Sequence, residues 1–415
     1  DENQKMVEAV PRGDVAKPMD FDAARRSIPS GTLLIQYIQC PHGWAVLGLD
    51  NEGMRGMVLD VDKERVEVLA EELNRVVSAF EGKGTLTLES DIRPLSTKIY
   101  ELFVRPIKGW LNGNDEVLVA PSGILWNLPL DMAYDSAKGR YLLQERFAFG
   151  YVPSLKLAFD SPGGRRIRGK PAFLAFAPVF PTKEEQKKAA GSGQAERRWR
   201  LELTEPPTMK SGFDVLVHSD RETSQLTEAY DKAGWTAMRW VSHQATREAF
   251  LGQAPKATRL YLSTHGLADG LEPFNSRVVF RDSASAFTSI TMGDVVTSLD
   301  LRGVEDVTLS ACQVARGTQW GGEGAVGLSY GFLLAGAGRV AAALWNVEEQ
   351  AAGEVFGEYH KRLLAGERPL QAMRSAKLRL MEAGKYRSVG SWRDPGYARS
   401  PLIWAPFVIW GRPVE

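Results

Sequence analysis

Two strand-like segments of this 415-residue chain run directly into residues that can do chemistry. TRLYLS (258–263) leads into Thr264-His265-Gly266, and EDVTLS (305–310) leads into Ala311-Cys312-Gln313. A free thiol has a pKa of about 8.5 and is mostly protonated near neutrality. An imidazole beside it lowers that pKa or takes the proton as attack begins. The small neighbours Gly266 and Ala311 keep backbone N–H groups approachable. Such groups form oxyanion holes, in which losing one donor costs on the order of a hundredfold in rate or more. A lone cysteine in an apolar strand is usually an inert core residue, and a lone histidine after a strand is usually structural. The two residues at equivalent strand ends, with glycine beside the histidine, point instead to Cys312 as nucleophile and His265 as its base.

The elements between them must bring those ends together. TMGDVVTSL (291–299) reads as a helix, with Thr291 and Asp294 at capping-box spacing and Asp standing in for Glu. Strand, helix, strand implies a right-handed crossover between parallel strands. In open α/β sheets, ligands bind beyond the carboxyl ends of the strands. His265 and Cys312 are therefore expected on one edge. Further strands are read at 172–179, 213–218, 236–241, 339–345 and 401–411, and further helices near 221–233, 245–252, 325–337, 348–364 and 367–382. This alternation predicts the α/β class, a mostly parallel sheet flanked by helices.

Residues 1–30 read as an amino-terminal tail or linker, and 31–160 as a smaller α/β subdomain. That subdomain opens with a β-meander (33–39, 44–50, 56–61) and continues with helices at 63–80 and 95–111 and a strand at 116–121. DSPGGRRIRGKP (160–171) carries Pro, Gly and clustered charge and marks a boundary, its basic residues read as a solvated linker. The second domain then covers 171–415, with 181–211 an exposed, mobile loop rich in Lys, Glu, Gly and Ser.

Composition excludes several classes. Lys+Arg and Asp+Glu both number 51, so the basic surplus of a sequence-independent nucleic-acid binder is absent and no nucleic acid is expected as partner. Two cysteines, Cys40 and Cys312, make no disulfide framework, and a reducing, cytoplasmic setting is the expectation. No apolar run of about 18 residues is present, so no membrane span is expected, and the polar start DENQKMVEAVPRGD lacks the apolar core of a signal peptide. The chain opens on Asp1 rather than Met, as a fragment or processed product with upstream domains would. Gly322–Gly327 fits G-x-G-x-x-G but lies well past the preceding strand, where a dinucleotide fingerprint needs an immediate strand-to-helix turn. Gly327–Gly331 fits G-x-S-x-G, but Ser329 sits in a helical run rather than on the sharp turn of a nucleophile elbow. Those glycines read as permitting close helix–sheet packing. Cys40 and His42 offer two metal donors without a partner cluster, so neither metal nor cofactor is expected.

The caspase signature places its Cys in Gln-Ala-Cys with the His about 50 residues upstream. Here Ser310-Ala311-Cys312-Gln313 follows His265 by 47 positions to the cysteine. With LYLSTHG (260–266), VTLSACQ (307–313), GGEGAVGLSYGFLLAGAGRVAAALWNVEE (321–349) and WAPFVIWG (404–411), the chain resembles the CHAT family, bacterial caspase-like proteases related to separase and caspases. LVAPSGILWNLPLDMAY (118–134) and RYLLQERFAFGYVPSL (140–155) resemble the family's amino-terminal part. The resemblance implies a caspase-like fold preceded by a pseudo-protease subdomain, a His265–Cys312 dyad, and peptide-bond hydrolysis without metal or cofactor. It also implies backbone oxyanion donors at Gly266 and Cys312. The strand ending at Trp345 and Asn346 resembles the one that pairs with substrate. A protein or peptide substrate and a regulatory protein or upstream sensing domain are the implied partners, and self-cleavage within 181–211 follows by analogy with caspase relatives.

The chain departs from the family pattern in two places. It has Cys312-Gln313-Val314-Ala315 for Cys-Glu-Thr-Gly and Trp345-Asn346-Val347-Glu348 for Trp-Pro-Val-Asp, so specificity does not carry over. Glu323 fits the family's Gly-Glu-Gly, either as an acidic pocket favouring Arg or Lys before the scissile bond or as a carboxylate that orders its loop. The rival class is a catalytically silent interaction module on the same fold.

Overall fold

A computed structural model describes residues 20–83, 89–160, 169–178, 216, 218–269, 272–281, 287–311, 318–319, 325–382 and 399–412. Alternating strands and helices give the expected α/β class, with mostly parallel strand pairing and helices against the sheets. The chain divides into two compact units. Unit 1 is Asp1–Ser161, Ala315–Val326 and Ala343–Glu415, and unit 2 is Pro162–Val314 and Gly327–Ala342.

In chain order, helix α1 (Phe21–Ser27) lies inside the expected tail, its first turn capped by the Asp20 carboxylate accepting from Ala23 N–H at 3.0 Å. Strands β1 (Thr32–Cys40), β2 (Gly43–Leu49) and β3 (Met54–Leu59) form the expected antiparallel meander. Helices α2 (Lys63–Lys83) and α3 (Glu89–Ile99) follow. The latter starts six residues before the position read from the sequence and holds Pro94 in its interior. A wider turn (Tyr100–Val104), a tighter one (Arg105–Ile107) and α4 (Lys108–Leu111) complete that stretch. Then come β4 (Glu116–Ala120), the short pair β5 (Tyr134–Asp135) and β6 (Arg140–Tyr141), β7 (Ala148–Tyr151) and α5 (Leu155–Asp160).

Unit 2 opens with β8 (Ala172–Ala177), α6 (Ser219–Lys232), β9 (Thr236–Val241), α7 (Arg247–Gln253) and β10 (Arg259–Ser263). Three strands that the sequence reading missed come next: β11 (Gly266–Leu267), β12 (Arg277–Arg281) and β13 (Phe287–Thr291). Then follow α8 (Met292–Ser298) and β14 (Asp306–Ser310), the two-residue pair β15 (Thr318–Gln319) and β16 (Ala325–Val326), which falls in unit 1, and α9 (Leu328–Leu334) and β17 (Arg339–Ala343). Helices α10 (Glu349–Leu364), α11 (Pro369–Glu382) and α12 (Pro401–Trp404) and strand β18 (Phe407–Gly411) close the chain.

Several expectations change in detail. Residues 401–411 are not one strand, because Pro401 starts a helical turn before β18. The helix read over 325–337 is confined to α9. Of the strand read at 213–218, Leu216 is outside any strand and packs against Val279 and Phe287. Residues 181–211 lie outside the described residues. Gly331 supports helix–helix rather than helix–sheet packing, since a Cβ there would lie 2.7 Å from Met292 Cγ of α8.

In unit 1 the strands run β3-β2-β1-β4-β7-β18, parallel from β1 onward. Unit 2 has the order β17-β14-β10-β8-β9, every pair parallel. Its inner strands β8, β10 and β14 are buried almost throughout, as strands covered on both faces must be. Stacked rings join Phe173 of β8 to Tyr230 of α6 and Phe176 of β8 to Trp240 of the outer strand β9.

Residues 343–415 join unit 1 partly through a buried ion pair. Lys377 Nζ of α11 donates to Asp131 Oδ2 at 2.5 Å and to the Ala405 carbonyl at 3.2 Å, with both side chains almost wholly enclosed. Burial pushes the Asp131 carboxyl up and the Lys377 ammonium down, each opposed by the partner's charge. Removing one partner leaves an uncompensated buried group, which costs about 3–5 kcal/mol, whereas apolar replacement of both is often neutral. Urea unfolding is expected to show Lys377→Met destabilised by about that amount and Lys377→Met/Asp131→Leu restored to near the parent.

Candidate active site

Strands β10 and β14 pair in parallel with Ser263 opposite Ser310, the last residue of each. Neighbouring strands lie about 4.8 Å apart, so the register sets two strand ends level. The crossover between them carries α8, whose capping box forms as read. Thr291 Oγ1 accepts from Asp294 N–H at 3.0 Å and Asp294 Oδ2 accepts from Thr291 N–H at 2.9 Å. Arg247 on α7 donates to the other oxygen of Asp294 at 3.1 Å, tying the start of the helix to its neighbour.

His265 stands between the end of β10 and the start of β11, and the main chain on both sides of it is held. Thr264 is buried; its N–H donates to the Ser310 carbonyl at 3.3 Å and its hydroxyl to the Val279 carbonyl at 2.7 Å. The His265 carbonyl accepts from Val279 N–H at 3.0 Å, and Gly266 pairs with Val278. Strand β12 thus clamps the segment, leaving the His265 side chain half-buried. The β11-β12-β13 sheet does this work, and its strands of two to five residues carry too little periodicity to be read in advance.

On the neighbouring strand, Ala311 is buried, while Cys312 and Glu323 lie outside the described residues. Trp345 and Asn346 belong to unit 1. The Trp345 ring is buried and its indole N–H donates to the Leu402 carbonyl at 2.8 Å. Asn346 N–H donates to Glu81 Oε1 at 2.7 Å, and Asn346 Oδ1 is buried without a hydrogen-bond partner among the described residues. Cys40, by contrast, is exposed at the end of β1. Ser329 is buried in the first turn of α9, two residues past the Gly327 N-cap that follows the two-residue strand β16. Among the described residues no group of three His, Cys, Asp or Glu is placed to hold a metal, and no helix is long and apolar enough to cross a membrane.

Beneath the strand ends is a polar cluster that sequence reasoning missed. Glu222, in the first turn of α6, is buried and accepts hydrogen bonds from Tyr261, Ser263 and Ser310. Burial pushes the Tyr261 hydroxyl far above its ordinary pKa, and the Glu222 charge adds to that, so it serves as a donor throughout the working pH range. A faint signal existed: both motifs read Leu-Ser before the chemistry, in Leu262-Ser263-Thr264-His265 and Leu309-Ser310-Ala311-Cys312. Nothing local marks Glu222 on an otherwise polar helix.

No curated protein sequence gives a significant match to this chain. Among solved structures it is similar to separase in two Saccharomyces cerevisiae separase–securin complexes, at 11% identity with TM-score 0.48 and at 10% with 0.49. Each likeness covers 95% of this chain and 31% of the other, so the chain spans about a third of the separase chains it matches. It is also similar to the Arg-specific cysteine proteinase gingipain R of Porphyromonas gingivalis, at 8% identity with TM-score 0.40, covering 83% of this chain and 73% of that one. The CHAT domain model matches residues 93–412, from within α3 to just past β18 and well over half the sequence. On that match, the chain belongs to the CHAT domain family.

Proposed function

We propose that this CHAT protein is a cysteine endopeptidase in which His265 and Cys312 form the dyad. The observation that carries the reading is the Ser263–Ser310 register, which sets level the ends of two adjacent parallel strands, each running two residues further into one member of the pair. His265 takes the thiol proton as Cys312 Sγ attacks the scissile carbonyl carbon. The backbone N–H groups of Gly266 and Cys312 hold the oxyanion. Collapse of the tetrahedral intermediate breaks the C–N bond, His265 returns the proton to the leaving amine, and a thioester remains on Cys312. Water, deprotonated by His265, then releases the acyl product and regenerates the thiol. The chemistry calls on no metal or cofactor. Glu323 supports a preference for Arg or Lys before the scissile bond, and control by a regulatory protein or upstream domain completes the reading.

Cleavage-site mapping with a peptide library, run on parent, Cys312→Ala and His265→Ala proteins, is the direct test. Each variant is expected to lose about a thousandfold or more in kcat while keeping its fold. Wild-type activity in Cys312→Ala would end the proposal. A second readout needs no substrate: iodoacetamide is expected to label Cys312 much faster than exposed Cys40 near neutral pH. Slow, equal labelling with no cleavage would favour the silent interaction module instead.

A further inference from the structure

We propose that Glu222 is a positioning residue for this dyad: its buried carboxylate straps the carboxyl ends of β10 and β14 together and thereby sets the spacing of His265 and Cys312. The inference rests on the dyad reading above and adds the device that holds it in shape. Oε1 of Glu222 accepts from the Tyr261 hydroxyl and from Ser310 Oγ at 3.3 Å, and Oε2 accepts from Ser263 Oγ at 3.1 Å. Ser219 Oγ lies 2.7 Å from Ser263 Oγ. An ionised carboxylate only accepts hydrogen bonds, so Ser263 spends its proton on Glu222 and Ser219 is the donor to Ser263. Glu222 therefore holds the terminal residue of each strand, and those two residues are register partners.

Burying a carboxylate costs several kcal/mol, and apolar groups of the same volume would fill the space more cheaply. Packing alone does not explain a charge here. The main chain offers a reason: just past the paired residues, Thr264 N–H reaches the Ser310 carbonyl at 3.3 Å, against the usual 2.9–3.0 Å. The strap lies beside that long bond. Glu222 sits in the first turn of a 14-residue helix, where the partial positive charge of the amino terminus favours an anion. In the sequence His265 follows Ser263 by two residues and Cys312 follows Ser310 by two. Glu222 thus acts through the strand ends and not on substrate. A misplacement of about 1 Å at a reacting pair costs on the order of a hundredfold.

The test compares Glu222→Ala and Glu222→Gln in the full chain, with peptide cleavage and Cys312 alkylation as readouts and Cys40 as internal reference. Gln keeps the connectivity, since its carbonyl accepts from Tyr261 and Ser310 while its amide donates to Ser263, which then turns toward Ser219. Glu222→Ala is expected to lower kcat and the Cys312 alkylation rate by about a hundredfold with KM within about twofold. Glu222→Gln is expected to recover most of both. An Ala variant with a native circular dichroism spectrum and kcat and alkylation within twofold of the parent overturns the proposal, as does a loss confined to KM. Should Glu222→Ala fail to fold, Ser263→Ala/Ser310→Ala removes both straps and carries the same expectations. A parent that neither cleaves peptides nor labels at Cys312 removes the dyad reading, and the proposal with it. That outcome is distinct from an active parent indifferent to Glu222.

Discussion

The register of β10 against β14 is the constraint from which the candidate site derives. Side chains alternate faces along a strand, so a slip of one residue would send Ser263 and Ser310 to opposite sides of the sheet and break the shared carboxylate contact. Three features pin that register. The buried interiors of both strands lie under the helices, the capped α8 belongs to the crossover between them, and the polar cluster on Glu222 joins Ser263 to Ser310 in this alignment. The β11-β12-β13 sheet then converts a level strand end into a fixed main-chain path through His265.

This places the two candidate groups under different kinds of control. The His265 backbone is held through main-chain hydrogen bonds to Val279, and Thr264 adds a buried side-chain anchor beside it. On the other strand, Ser310 holds by its side chain, one residue before the buried Ala311.

Much of the fold could be read from residue order, and the reasons for the exceptions are physical. RLYLS and DVTLS are short runs rich in strand-forming residues that end directly at the candidate site motifs, so β10 and β14 stood out, as did the Thr291–Asp294 cap. Strands β11 to β13 did not, because RVVFR and FTSIT are short and stabilised by a local antiparallel ladder rather than by their own periodicity. The final segment misled for a different reason: PLIWAPFVIWG is apolar throughout, and only the φ restriction of Pro401 separates a helical turn from the strand that follows. At the candidate site, His265 and Gly266 were read from their place at a strand end, where the structure also puts them. Glu222 was not, because its partners lie 39, 41 and 88 residues away and no local pattern encodes such distant contacts.

Unit 1 draws on both halves of the chain, and this shapes how the molecule is made. Strand β7 ends at Tyr151, while its parallel neighbour β18 begins at Phe407. At a ribosome adding about 5–20 residues per second, the open side of β7 waits some tens of seconds for its partner. Every strand of the unit 2 sheet has emerged by Ala343, so that unit can close earlier. The nascent protein therefore carries an unpaired, apolar strand border through a large part of its synthesis, the kind of surface that chaperones cover.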